Sequence, residues 1–442
     1  MQRRKRRHRR AGRSVVASLT ALALATGTAC AGQGSGGAFG RSERVRPGIT
    51  VLIQDSAQLI AGKRIGLLTN QTGVDEEGRS DIDLLFRPVA GGGATGPRLV
   101  ALFSPEHGIR GEEDRGGVAS GRDERTGLPI HSLYNPTTIE PPDSTLRDLD
   151  VLVIDLQDLG ARGWTYPSSM VYAMRAAARN RIRVIVLDRP NPITASRVEG
   201  VVSDSAHTYA GSHSAARRAQ PVSLYPIPAR HGMTMGELAR FYNEELGLGA
   251  DLHVMPVAGW RRDMWFDETK LPWVRPSPNM PNLASATLYP GIVAFEGTNL
   301  SVGRGTPDAF QRVGAPWLDA RRAVRMLNDR GLTGVRFEVD RLAPRNPTDG
   351  KYPGVEIPWI RMVVTDRDHM QPSRVGAAVL WAIAKTNGDS LKVRDRVYDE
   401  RMGPSRVREA LLRGDDPDTV MDRELPATVE FEQRVRRYRL YR

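Results

Sequence analysis

Four short apolar runs, each ending in polar turn residues, constrain this chain most. They are Arg64-Ile65-Gly66-Leu67-Leu68-Thr69, Leu99-Val100-Ala101-Leu102-Phe103-Ser104, Val151-Leu152-Val153-Ile154-Asp155 and Val184-Ile185-Val186-Leu187-Asp188. A run that is apolar at successive positions has no face to give to water, so such strands are buried on both sides. Between the third and fourth runs, residues 168–180 carry Met170, Val171, Met174 and Ala177 at helical spacing. Strand and helix in alternation predict an α/β fold with a Rossmann-like parallel sheet. No dinucleotide loop accompanies it: Thr69-Asn70-Gln71-Thr72-Gly73 follows the first run where a G-x-G-x-x-G turn would be needed.

Further along, Thr234 and Glu237 form a capping-box pair that predicts a helix through Leu238, Phe241 and Tyr242, ended by Gly247 or Gly249. Then the pattern changes. Residues 251–315 are rich in Trp, Pro and Asn and predict ordered loops with short strands. Helices are expected over 318–328 and 373–385, strands over 335–339 and 359–364, and a basic amphipathic helix over 427–441. The reading is a Rossmann-like catalytic domain over 47–250 and a smaller α+β domain over 251–442.

The first 29 residues read as a secretory signal: eight Lys and Arg before a short apolar stretch, then Gly27-Thr28-Ala29. The apolar stretch falls short of the roughly 20 residues a membrane-spanning helix needs. Cys30, the only cysteine, stands where a bacterial lipobox places its lipidated residue. The expected location is the cell envelope, with a membrane anchor on Cys30 and residues 30–46 as a Gly/Ser-rich tether. One cysteine excludes an internal disulfide. Of the net charge of +12, the signal carries eight, which leaves about +4 and removes the case for a nucleic-acid partner.

Polar residues cluster after the strands, where open α/β sheets bind ligands. Glu106 and His107 follow the second run, and Gln157, Asp158 and Arg162 through Tyr166 follow Asp155 at the end of the third. Arg189 and Asn191 follow Asp188, and Arg230-His231 precede the capped helix. Asn279, Glu296, Asn299 and Arg304 come later. Asp and Asn in such places also cap helices and set turns. Several clusters from separate segments suit a pocket better than independent caps. No H-E-x-x-H or G-x-S-x-G appears, so neither a metal, a cofactor nor a serine nucleophile is expected. Two carboxylates around a scissile bond define most glycosidases. Glu106 is the leading general acid; Asp155, Asp158 or Glu296 could be its partner, and Tyr166 could assist.

At these residues the chain resembles a known family, the exo-lytic β-N-acetylmuramidases. The shared motifs are Ser104-Pro105-Glu106-His107-Gly108, Thr126-Gly127-Leu128-Pro129 to Leu133-Tyr134, Asp155-Leu156-Gln157-Asp158 to Tyr166, and Asp188-Arg189-Pro190-Asn191-Pro192. They continue with Arg230-His231-Gly232-Met233-Thr234, Pro276-Ser277-Pro278-Asn279, and Glu296-Gly297-Thr298-Asn299 through Gly303-Arg304-Gly305-Thr306. The resemblance implies an active site in the cleft between the two domains and release of N-acetylmuramic acid from the non-reducing end of peptidoglycan fragments. It points to Glu106 as the acid. Muropeptides or disaccharides would be the partners, and His107, Gln157, Asp188, Asn191, His231, Asn279 and Asn299 would line the substrate site. The lactyl carboxylate of that sugar suits an arginine, with Arg162, Arg189, Arg230 and Arg304 as candidates. The competing reading is a non-catalytic envelope lipoprotein that binds muropeptides or wall glycans.

Overall fold

A computed structural model describes residues 44–86, 96–111, 119–134, 139–205 and 222–442. The signal, most of the tether and Cys30 lie outside them. Twelve strands occur among the described residues. They are β1 (Arg64–Thr69), β2 (Arg98–Ser104), β3 (Gly121–Arg122), β4 (Pro129–Ser132), β5 (Val151–Asp155), β6 (Arg183–Leu187), β7 (Glu199–Val202), β8 (Pro228–Arg230), β9 (Leu252–Met255), β10 (Arg312–Gly314), β11 (Val335–Leu342) and β12 (Ile357–Val364).

The four apolar runs form β1, β2, β5 and β6 of a seven-stranded sheet ordered β3-β4-β2-β1-β5-β6-β9. All its pairings are parallel except the edge pair β3–β4. Alternation along the strands explains why both faces are apolar. Val151 and Val153 of β5 join a cluster with Ile49, Leu52, Ile82 and Leu85, from the helices Gly48–Asp55 and Asp81–Phe86. Leu152 and Ile154 turn the other way, onto Met170 and Met174 of the helix Tyr166–Arg179 and Leu238 and Phe241 of the helix Met235–Glu245. The chain winds from β1 outward through β2 to β4 and then returns to β5 on the other side of β1. This reversal opens the crevice at the carboxyl ends of β1 and β5.

The capping box forms as expected: Thr234 Oγ1 accepts from Glu237 N, and a Glu237 oxygen accepts from Thr234 N at 3.1 Å. Two features beyond residue 250 depart from the sequence reading. β9 pairs with β6, so the main sheet carries one more strand past the boundary placed at residue 250. Within the expected loop region, Leu283–Ile292 is a helix capped by Asn282, whose side chain accepts from Ser285 N at 3.0 Å. It is buried from Ser285 to Ile292, and a helix buried all round shows no amphipathic period to read. It crosses the long helix Pro372–Asn387 at Gly291 and Gly376, where a Cβ on either would run into the other helix's backbone.

The smaller part is α+β: an antiparallel sheet β10-β12-β11 with the helices Ala320–Asp329 and Pro372–Asn387. One apolar cluster runs through both parts, from Leu152 to Val313, Ile360 and Leu380. The C-terminal helix is shorter than expected, Leu425–Val435, with a 3-10 turn at Arg436–Tyr438. The chain end then returns to the main sheet, where the Tyr441 hydroxyl donates to Asp188 at 2.5 Å. Among the described residues no helix is long and apolar enough to cross a membrane.

Candidate active site

β2 delivers the chain to Pro105 and Glu106 and then turns sharply. His107 and Gly108 both adopt the left-handed region, at φ 72° and 75°, and Gly108 N donates to Pro105 O at 3.3 Å. A non-glycine residue there stores strain, which is commonest at functional sites. Glu106 is half-buried, and Thr165 Oγ1 donates to its Oε2 at 2.5 Å. Thr165 is the N-cap of the helix Tyr166–Arg179, yet its side chain makes no capping bond. A threonine here usually accepts from its own helix; this one is turned to Glu106 instead. The Tyr134 hydroxyl also bonds Glu106, and burial together with that carboxylate drives the phenol well above its ordinary pKa.

Tyr166 is fully buried and its hydroxyl donates to Pro276 O at 2.5 Å, with Asn70 from the end of β1 beside it. Asn70 Oδ1 accepts from Thr72 Oγ1 at 2.6 Å.

The smaller part supplies the facing groups. Glu296 lies in the 3-10 segment Val293–Gly297, and Arg304 donates to its Oε1 through Nη2 at 2.6 Å and Nε at 3.1 Å. Arg401 Nε stands 3.5 Å from its Oε2. Burial would raise the Glu296 pKa, but the charges of Arg304, Arg401 and Lys351 outweigh it and hold the carboxyl below its ordinary value. Tyr289 feels Glu296, Arg401, Arg304 and Glu106 together, and Tyr134 feels Glu106, Arg401 and Glu296. Glu106 and Glu296 are thus both felt by the same two tyrosines. Asn279 and Arg304 meet at Thr348, to which Asn279 Nδ2 donates at 3.4 Å and Arg304 Nη1 at 3.3 Å.

The other strand-end residues are turned inward. Asp155 is fully buried and both its oxygens are taken by Arg189, at 2.5 and 2.8 Å; Arg189 Nη2 also donates to Val74 O. Asp188 accepts from Gly236 N, Thr234 Oγ1 and Tyr441 Oη, each within 2.7 Å, and burial pushes its pKa up to about 6. Gln157 Nε2 donates to the carbonyls of Asp158 and Pro190, and Asn191 Nδ2 to that of Met233. Asp158 Oδ2 accepts from Gly160 N and lies 3.1 Å from His231 Nε2, both residues being buried. Arg162 has no carboxylate: it donates to the carbonyls of Val201, Ile227 and Arg401, and burial lowers its pKa to about 9. Arg230 donates to Ile193 O and to Thr194 Oγ1, 3.7 Å from Glu199. Asn299 is held by the backbone of Ser390 and Lys392. Among the described residues no group of three or more His, Cys, Asp or Glu could hold a metal ion.

The sequence reading missed Thr165, Tyr134, Arg401, Lys351 and Tyr289. The first two lie inside motifs it singled out. Arg401 ends the helix Asp395–Met402 with no motif around it, so nothing local marks it.

The chain is similar to known proteins along most of its length. Residues 65–284 match the family described as Exo-beta-N-acetylmuramidase NamZ, N-terminal, and residues 287–441 its C-terminal counterpart. The chain is 36% identical over 403 residues to the Peptidoglycan beta-N-acetylmuramidase NamZ of Bacillus subtilis (strain 168), covering 91% of this chain and 92% of that protein. Crystal structures of two DUF1343 family proteins from Bacteroides fragilis NCTC 9343 share the fold. One has a TM-score of 0.79 at 33% identity, the other 0.69 at 28%, each covering 90% of this chain and 99% of its own.

Proposed function

The chain belongs to the exo-beta-N-acetylmuramidase NamZ family, and from that premise we propose that it releases N-acetylmuramic acid from the non-reducing end of peptidoglycan fragments with Glu106 as the general acid. The observation that carries the acid assignment is the N-cap threonine whose hydroxyl serves Glu106 at 2.5 Å rather than its own helix. A hydroxyl both donates and accepts, so Thr165 and Tyr134 can hold the carboxyl in either protonation state. Glu106 protonates the leaving glycosidic oxygen as the bond to the sugar breaks. A second carboxylate then has to meet the cationic sugar or activate water. Asp155 has both oxygens on Arg189, and Asp158 is buried beside His231. Glu296, kept ionised by its arginines, is the remaining candidate and faces the same space as Glu106.

In this reading the substrate enters a cleft where the carboxyl edge of the main sheet meets the smaller part. The sheet supplies the acid and the smaller part the charged partner. The enzyme works at the cell envelope, and Cys30 anchors it to the membrane. Changing Cys30 to Ser should move the protein from the membrane fraction to the soluble one.

The test of the activity uses a chromogenic β-N-acetylmuramic acid glycoside beside the matching N-acetylglucosamine glycoside. Colour from the muramyl compound alone, lost in Glu106→Gln, is the expected result. Unchanged turnover in a folded Glu106→Gln protein would remove Glu106 from the mechanism.

A further inference from the structure

We propose that Arg401 reads the lactyl carboxylate of the substrate, and so sets the preference for a muramyl over a glucosaminyl sugar. This rests on the substrate proposed above. That sugar differs from N-acetylglucosamine by a carboxylate-bearing ether, so a cation at the site must tell the two apart.

Elimination leads to Arg401. Arg162, Arg189 and Arg230 are 5%, 5% and 1% exposed, and their guanidinium groups serve backbone carbonyls, Asp155 or Thr194. Arg304 directs Nε and Nη2 to Glu296 and Nη1 to Thr348. Arg401 is held differently. Its Nη1 donates to Val397 O at 3.0 Å and its Nε, beside Glu296, is buried without a hydrogen bond, as are the Nε atoms of Arg162 and Arg230, but among the described residues no hydrogen bond leaves its Nη2. The side chain keeps 15% exposure. It therefore retains an open donor beside Glu296.

Its position is also fixed from behind. Arg162 Nη2 donates to the Arg401 carbonyl at 2.6 Å, tying the end of this helix to β7 and to the segment before β8. The charge balance favours an anion. Arg304, Arg394, Arg401 and Lys351 stand against Glu296, Asp349 and Glu106, leaving one positive charge in excess. Tyr134 and Tyr289 each feel both Arg401 and Glu106, so the arginine and the acid lie in the same neighbourhood. A group on the sugar whose glycosidic oxygen Glu106 protonates would then lie within the arginine's reach. An arginine donor on a carboxylate is a charge-assisted bond, stronger than a neutral one.

The experiment compares two chromogenic substrates, the β-N-acetylmuramic acid glycoside and its lactyl amide, a neutral analogue of the same shape. In Arg401→Gln, kcat/KM should fall roughly ten- to hundred-fold on the acid and little on the amide. Arg401→Lys, which keeps the charge, should lie between and serves if the Gln variant does not fold. Equal losses on both substrates would overturn the proposal and leave Arg401 as a positioning residue for Glu296. An unchanged acid-to-amide ratio would overturn it too. Wild-type protein that hydrolyses neither compound would instead sink the activity on which the proposal rests. Calorimetry adds a readout free of turnover: binding of free N-acetylmuramic acid should weaken in Arg401→Gln.

Discussion

Two groups of polar residues stand at the carboxyl edge of the same sheet, and they differ in where their polar atoms go. The pairs at the ends of β5 and β6 close on themselves: Asp155 with Arg189, and Asp188 with the cap of the next helix and with Tyr441. Around Glu106 and Glu296 the polar atoms are less completely used: among the described residues no hydrogen bond leaves Arg401 Nη2, and Glu106 stays half-buried. Burying a charge is costly unless its own chain completes its bonds. A closed set therefore reads as architecture, and an open set at the mouth of the sheet reads as a place for substrate. Under the proposed function, the difference separates residues that hold the crevice in shape from residues that act within it.

The sharpest way to break this division is to exchange the expected effects. Glu106→Gln should lower kcat/KM by about two to four orders of magnitude, the usual worth of a general acid. Its melting temperature should stay within about 2 °C of wild type, because no structural bond network closes through it. Asp155→Ala should do the reverse. It leaves Arg189 buried without its carboxylate, and breaking a buried pair costs about 3–5 kcal/mol in denaturant unfolding. A stable, inactive Asp155→Ala protein would move Asp155 from architecture into the chemistry.

Asp188 gives a smaller effect with a definite sign. Burial raises its pKa from 3.8 to about 6 in the folded protein. A raised carboxyl contributes stability that is complete below the unfolded pKa and is lost as pH rises through the folded one. The contribution should fall away between about pH 4 and pH 6, by ~3 kcal/mol. Asp188→Asn cannot titrate, so it should flatten that slope in unfolding measured against pH, whatever it does to the absolute stability. An unaltered slope would mean that the site ionises as easily folded as unfolded.

Much of the scaffold was legible because its signals are local. The apolar runs of β1, β2, β5 and β6 reflect burial on both faces, and the Thr234–Glu237 cap spans only three residues. What was illegible depends on partners far away in sequence. Asp155 and Glu106 look alike after their strands. Only the fold shows that Arg189, 34 residues on, takes both oxygens of the first. Likewise Tyr441 reaches Asp188 across 253 residues, and Arg401 meets Glu296 from a helix with no motif. The helix Leu283–Ile292 was hidden because it is buried without an amphipathic period. Thr165 was hidden for the opposite reason: a threonine before a helix has an ordinary meaning, the N-cap, and that meaning does not hold here.

That exception yields the smallest and most specific prediction. Thr165→Val keeps the shape of the side chain and removes only the hydroxyl. At an ordinary N-cap the loss would cost the helix about 1 kcal/mol. Here the side chain makes no cap bond, so the helix has nothing to lose. The bond that disappears is the one to Glu106 Oε2 at 2.5 Å. Removing one hydrogen bond to a charged group should slow turnover about tenfold. KM should change little, because the hydroxyl acts on the acid and not on the bound sugar. Thr165→Ser, which restores the hydroxyl, should recover most of the rate. If Thr165→Val instead lowers stability by the full cap value and leaves kcat intact, the threonine belongs with the closed group of residues, and Glu106 is held by Tyr134 alone.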